Sequence, residues 1–419
     1  MAIVVKSERW LGFLRWLKSR RVPKAKLVLA DFADSGRGLM ATRDIEAGEA
    51  IVDIPESVLI TRSVFLDSLA REGIRADQEW PLSEHQALTL FLVSQRLFPE
   101  AKWAPYVAML PTEFDSVASQ LPEELARLLP SDLQDKIKEQ RHKLKQDWTA
   151  GWDFLKNIDR ASEYASMDER LFEWAWLAVS TRCITLESTK NKTMDCTIAL
   201  APMLDFLNHS LEAQVETGFD PTTRSFKITT RRPYRRGTEV FISYGPHDNS
   251  FLLAEYGFIL KNNPYNHICV DREFDNIALP GERPDFRSNV LRILEQEGLK
   301  GDYTLHASEA SYRLMMALRL RVSTTARDFK DVLRRWYQVQ RGERSTVSPE
   351  NEAAAHETLL QIIDRLEDHY RLNVDECRAI AAARLERAAF DYGSWCVEEL
   401  LGEHLEMLLA LRNTISARG

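Results

Sequence analysis

No two cysteines in this chain are close neighbours. The five, Cys183, Cys196, Cys269, Cys377 and Cys396, are scattered and odd in number. That excludes a C-x-x-C metal or redox motif and argues against a complete disulfide framework, so they read as reduced thiols and no zinc is expected. An H-E-x-x-H helix is also missing. No apolar run reaches the roughly 18 to 20 residues of a membrane-spanning helix, and no signal-peptide core follows the start. The expectation is a soluble chain without a membrane partner, working in the cytoplasm or nucleus. Positive charge is not in excess either: 55 Lys and Arg stand against 63 Asp and Glu, a net charge of -8 with the signs interspersed. This argues against non-specific duplex binding and predicts no direct nucleic-acid partner, while a Lys-rich protein substrate is compatible with it.

What is present begins with length. At 419 residues the chain exceeds what one hydrophobic core usually serves, which predicts two domains. Residues 8–21 place Trp10, Phe13, Leu14 and Leu17 on one face of a helix with basic residues around the rest, predicting an amphipathic helix docked on its own domain rather than a targeting segment. From residue 27 to 61, short β-type runs alternate with turn signals, and Gly36 and Gly38 allow a backbone to approach a ligand closely. Residues from about 63 to 186 are dominated by helical periods, ending in a helix with Arg182 at its last turn.

Two clusters follow. Residues 199–210, ALAPMLDFLNHS, bring Asp205, Asn208 and His209 together just after a run broken by Pro202, where the chain is expected to bend. Residues 239–258, EVFISYGPHDNSFLLAEYGF, read as a strand over 240–244 that stops at Gly245-Pro246, then a helical run. Tyr244 therefore sits at a strand end. Between the clusters, residues 215–219 and 225–230 predict a hairpin, and the Arg231, Arg232, Arg235 and Arg236 group reads as a solvated loop. After Pro264 a short strand at 267–270 precedes helices expected over 290–296, 312–320, 329–340, 352–372 and 379–411.

The D-x-x-N-H motif at Asp205, Asn208 and His209, the Tyr244-Gly245 step, the Tyr256-Gly257-Phe258 step and the GRGLMATRDIEAGEAIVDIP run over 36–55 resemble the SET-domain protein methyltransferases. The nearest branch is that typified by the Rubisco large-subunit lysine methyltransferase and the actin histidine methyltransferase. The resemblance implies an α+β fold: a SET-domain β-fold with a pseudoknot over residues 1–262, a large helical insertion at about 63–186, and a mainly α-helical, substrate-binding-like domain over 263–419. It implies S-adenosylmethionine as cofactor and a protein side-chain nitrogen as acceptor, lysine ahead of histidine, in a monomer.

Carried onto this sequence, the resemblance makes Tyr244 the catalytic residue, orienting methyl and acceptor. A phenol near pKa 10 is a poor base at neutral pH, so positioning is its task. Ser35, Arg37, Arg182, Asp205, Asn208, His209 and Tyr244 would contact the cofactor, with Asp205 alternatively fixing its loop and Arg182 alternatively a solvated helix-end cation. Tyr256 and Phe258 would wall the acceptor channel with π faces. Two other readings use the same residues. Asp205, His209, His247 and Asp248 could be assembled into a hydrolytic metal site, or the chain could be an inactive SET-like scaffold that binds a partner.

Overall fold

The computed structural model describes residues 2–71, 73–74, 82–98, 102–186, 198–325, 329–385 and 391–418. The chain divides into two compact units, Met1–Phe114 with Glu139–Pro246, and Asp115–Lys138 with His247–Gly419.

In the first unit, Ser7 caps helix α1 (Glu8–Ser19) by accepting from the Trp10 N–H. The apolar face of α1, with Trp10, Phe13, Trp16 and Leu17, is buried. Phe13 meets Phe206 edge-on at 5.5 Å and Tyr106 at 6.4 Å, so this helix is spent on its own unit. Strand β1 (Ile3–Val4) pairs with β2 (Leu27–Phe32), which forms an antiparallel hairpin with β3 (Gly36–Ala41) in the register Leu29 to Leu39. A second sheet runs in the order β4 (Ala50–Pro55), β9 (Ser225–Thr230), β8 (Val215–Asp220), and β5 (Cys183–Thr185) pairs with β6 (Ile198–Leu200).

The β8–β9 hairpin turns around Asp220, whose carboxylate accepts from the Thr222 N–H and from Lys227. It lies between two very short strands, β7 (Asn208–His209) and β10 (Phe241–Ile242), that pair in parallel, Asn208 opposite Phe241 and His209 opposite Ile242. Parallel pairing of strands this short requires the chain to loop out through the hairpin and return alongside itself. The strand expected over 240–244 is thus only two residues long. Tyr244 lies beyond its end, where the ladder has already given way to the turn. The arginine-rich loop carries ordinary surface pairs, Arg231 with Glu216, Arg232 with Glu212 and Arg235 with Asp44.

The insertion packs α2 (Glu84–Leu97) against α3 (Glu169–Arg182). The buried Asp147 carboxylate accepts from Gln86 at 2.7 Å and from the Trp176 indole at 3.0 Å, tying these helices to the long helix Ser131–Asn157.

The second unit begins with α4 (Asn249–Tyr256), capped by Asp248 and closed by Gly257 in the left-handed region at φ 77°. A two-stranded ribbon, β11 (Ile268–Cys269) with β12 (Thr304–Leu305), is followed by helices including α5 (Tyr312–Arg321), α6 (Pro349–Leu385) and α7 (Tyr392–Arg418). The helix break expected near 372–379 is not there. No Gly or Pro interrupts that stretch, and the buried Asn373 side chain donates to the Leu128 carbonyl at 2.9 Å. Helix α7 starts later, where Asp391 accepts from the Ser394 N–H. Cys269, Cys377 and Cys396 are free thiols. Cys196 lies outside the described residues.

Candidate active site

The bend expected at Pro202 is made by Met203, a buried side chain on a backbone at φ 84°. A positive φ costs energy for any residue with a Cβ, and such strain tends to collect at functional loops. A short 3₁₀ turn over Leu204–Phe206 then turns Asp205 inward and delivers Asn208 and His209 to the parallel pairing.

The Asp205 side chain is fully buried. Its carboxylate accepts from the Tyr106 hydroxyl at 2.9 Å and lies 3.6 Å from Arg182, whose guanidinium also donates to the Asp205 carbonyl at 2.7 Å. Burial pushes the Asp205 carboxyl up to about 6, against the pull of Arg182 and Tyr106. Of the two roles expected for Asp205, fixing the loop is the one these partners fit. Arg182 is not a solvated helix-end cation: it is the loop's second anchor.

Asn208 points toward β3. Its side-chain nitrogen lies 3.3 Å from the Ser35 carbonyl, 3.1 Å from the Arg37 carbonyl and 2.8 Å from Glu239 Oε1. Glu239 Oε2 accepts from the Ser35 hydroxyl, while Met40 bridges Glu239 and the Val240 N–H donates to the Leu39 carbonyl. The two glycines of this loop serve different needs. Gly36 sits at φ 69° in open space, so it is there for conformation. Gly38 has no such φ, but a Cβ on it would collide with Glu239 and lie 2.7 Å from the Asn208 nitrogen.

His209 is buried and its ring stacks on Tyr244, centroids 5.1 Å apart and 26° between planes. The Tyr244 N–H donates to His209 Nδ1 at 3.0 Å, and the Tyr244 hydroxyl donates to the Leu207 carbonyl at 2.8 Å. Ser35, Arg37, Asn208, His209 and Tyr244 are therefore brought into one continuous cluster. Tyr256 and Phe258 belong to the second unit, their rings 6.1 Å apart on either side of Gly257. A Cβ on Gly257 would lie 2.8 Å from the Ser116 hydroxyl and the Val117 nitrogen.

Sequence reasoning missed Glu239 and Tyr106. Glu239 directly precedes the strand expected over 240–244, and adjacency to that run was its only signal. Tyr106 lies about a hundred residues from its partner and carried no signal. The residues of the alternative metal site have other partners: Asp205 and His209 as above, and Asp248 with the Phe251 N–H and, at 3.3 Å, His267. Among the described residues no group of three or more His, Cys, Asp or Glu could hold a metal ion.

Two family models match successive parts of the chain. A model of the SET domain matches residues 36–245, and one described as Rubisco LSMT substrate-binding matches residues 286–413. SET domain-containing protein 4 of Homo sapiens is 32% identical, covering 98% of this chain and 92% of that protein. The ribosomal lysine N-methyltransferase set11 of Schizosaccharomyces pombe is 28% identical over 73% of this chain and 72% of its own length. The actin-histidine N-methyltransferase of Danio rerio is 24% identical over 78% and 55%. The solved SET domain of LSMT bound to lysine and AdoHcy superposes with a TM-score of 0.67 at 17% identity, covering 99% of this chain and 92% of that one, which establishes likeness of fold.

Proposed function

The chain belongs to the SET-domain protein methyltransferase family, and from that premise we propose that it N-methylates a lysine side chain of a protein substrate. The observation that carries the reading is the parallel pairing of β7 with β10. It puts the Asn208–His209 step, the Ser35–Gly38 loop and the Tyr244 hydroxyl in one cluster of donors and acceptors.

When bound, S-adenosylmethionine supplies a methyl group on a sulfonium, a carbon already activated for displacement by a neutral amine. The residues of this chain have the remaining tasks. The loop carbonyls of Ser35 and Arg37 with the Asn208 side chain offer polar groups for the cofactor's amino-acid portion, and the buried His209 fixes Tyr244 through its ring and its Nδ1. The Tyr244 hydroxyl, held by the Leu207 carbonyl, positions methyl and acceptor. Such alignment accounts for a large share of the rate in a two-substrate transfer. The neighbouring rings of Tyr256 and Phe258 are of the kind whose π faces favour a nitrogen that gains positive charge as it is methylated. The incoming lysine must be neutral, and an apolar, aromatic environment favours loss of its proton.

Lysine is favoured by the naming of the set11 relative and by the lysine bound in the LSMT structure. The same reading has the chain acting as a monomer on a protein rather than on nucleic acid, in the cytoplasm or nucleus. Extract incubated with the purified protein and isotopically labelled S-adenosylmethionine, followed by mass spectrometry, should yield labelled methyl-lysine. Labelled methylhistidine in its place would overturn the acceptor, and absence of any calorimetric heat with S-adenosylmethionine or S-adenosylhomocysteine would overturn the activity.

A further inference from the structure

Asn249, the first residue of α4, is wholly buried, and its side-chain amide is fully used. Its Oδ1 accepts from the Leu260 N–H at 2.9 Å and from Asn263 Nδ2 at 3.1 Å. Its Nδ2 donates to the Leu260 carbonyl at 2.8 Å and to Glu403 Oε2 at 2.7 Å. The amide thus pairs with both main-chain groups of Leu260, as a neighbouring strand would. Glu403, on α7, completes the arrangement. Its Oε2 also accepts from Asn266 Nδ2 at 2.7 Å, and its Oε1 accepts from the Asn262 N–H at 3.0 Å. All of these partners are neutral donors, and Lys261 beside them pairs instead with Glu399 at 3.9 Å. Burial raises the Glu403 carboxyl above the ordinary range, and the three donors pull against it. Only the ionised form fits, since a proton on either oxygen would face an N–H.

These bonds put a fastening on either side of the Tyr256-Gly257-Phe258 step. On one side Gly257, at φ 77°, closes α4 with its N–H on the Leu252 and Leu253 carbonyls. On the other, the Leu260 main chain is gripped by Asn249, whose amide is in turn oriented by Glu403. Resting on the reading above that sets Tyr256 and Phe258 at the acceptor nitrogen, we propose that Asn249 and Glu403 are positioning residues for the acceptor. They fix residues 256–260 by main-chain bonds, and so fix the two rings, whose centroids lie 6.1 Å apart. Both act through Leu260 and not on the substrate itself. A side chain of α7, far along the chain, thereby takes part in placing the acceptor.

The test uses Glu403→Gln, which keeps size and shape but aims an N–H at other donors. Wild type and variant are titrated with S-adenosylhomocysteine to count binding-competent sites. Methyl transfer from labelled S-adenosylmethionine to protein lysine is then measured per site over a dilution series of cell extract. Affinity for S-adenosylhomocysteine should stay within about twofold of wild type, because the Asn208 and Tyr244 cluster lies in the first unit. The extract concentration giving half-maximal rate should rise about tenfold or more, the effect of a misplaced acceptor. Loss of fold alone would lower the number of sites and leave that concentration where it was. Asn249→Asp added to Glu403→Gln sets an acceptor against the new donor and should recover part of the loss. Should Glu403→Gln fail to fold, Glu403→Asp, which draws the carboxylate back by one carbon, is expected to shift half-saturation in the same direction by a smaller factor. Unchanged half-saturation per site overturns the proposal, as does an equal weakening of S-adenosylhomocysteine and acceptor. A wild-type protein that binds S-adenosylhomocysteine and labels no lysine overturns the reading on which the proposal rests.

Discussion

The Tyr244 hydroxyl donates to the main-chain carbonyl of Leu207 at 2.8 Å, one residue before the parallel pairing of Asn208 with Phe241. The direction of the phenol oxygen is therefore set by backbone that the pairing itself fixes. Tyr244→Phe keeps the ring that stacks on His209 and loses only the hydroxyl. It should fold, at a cost of about 1 kcal/mol for one hydrogen bond. Methyl transfer should fall about a hundredfold or more, because misalignment of reacting atoms is expensive. Urea unfolding and labelled-methyl incorporation measure the two effects, and wild-type turnover in this variant would remove Tyr244 from the mechanism.

Gly36 and Gly38 should respond differently to the same substitution. Gly36→Ala meets no atom but forces a Cβ into the left-handed region, costing about 1–2 kcal/mol of stability. Gly38→Ala meets the ends of two flexible side chains, Glu239 and Asn208, which can swing away at small cost in stability. Asn208 is a proposed cofactor contact, so the expected outcome is a modest change in melting temperature with a loss of S-adenosylhomocysteine affinity of tenfold or more, a common result when polar groups in a site are displaced. A larger binding defect in Gly36→Ala than in Gly38→Ala would contradict this assignment.

Much of this site was legible in the sequence because its parts are local: Asn208 and His209 are adjacent, Tyr244 precedes a Gly-Pro turn, and the glycines of 36–38 advertise a tight loop. What could not be read was set by long-range burial. For Asp205 two roles stayed open, cofactor contact and fixing the loop, because the partners that turn it inward, Tyr106 and Arg182, come from the helical insertion. Helix ends in the second unit were misjudged for a related reason. The stretch near Asn373 has polar residues that suggest an exit, but the Asn373 amide is satisfied by the Leu128 carbonyl far along the chain, and the helix continues.

Burial of Asp205 carries a pH signature. Its carboxyl is raised from 3.8 to about 6, so the folded state holds the proton more tightly than the unfolded chain. Stability from this group is fully present below about pH 4 and is lost as pH rises through about 6. Asp205→Asn keeps the shape and removes the titration. The difference in melting temperature between wild type and Asp205→Asn should therefore shift in the variant's favour between pH 4 and 7 and then level off. Any benefit above pH 7 is offset by the charge pairing with Arg182 that the variant gives up. A difference that is flat across this window would mean that Asp205 is ionised throughout.

In the second unit Arg321 closes α5 with a side chain only 1% exposed. Its guanidinium donates twice to Glu282, each bond 2.8 Å, and also to the carbonyls of Phe274 and Ile277. A bidentate pair of this kind is costly to break from one side, because the remaining charge stays buried. Arg321→Ala should cost about 3–5 kcal/mol in denaturant unfolding. Replacing both partners, Arg321→Leu with Glu282→Met, removes the stranded carboxylate and should recover part of that loss. Recovery stays incomplete because the Phe274 and Ile277 carbonyls lose their donor, at about 1–3 kcal/mol for each buried group left unsatisfied. The two single replacements complete a double-mutant cycle. A double variant no more stable than Arg321→Ala would show that the two carbonyls, and not Glu282, are what Arg321 is buried to satisfy.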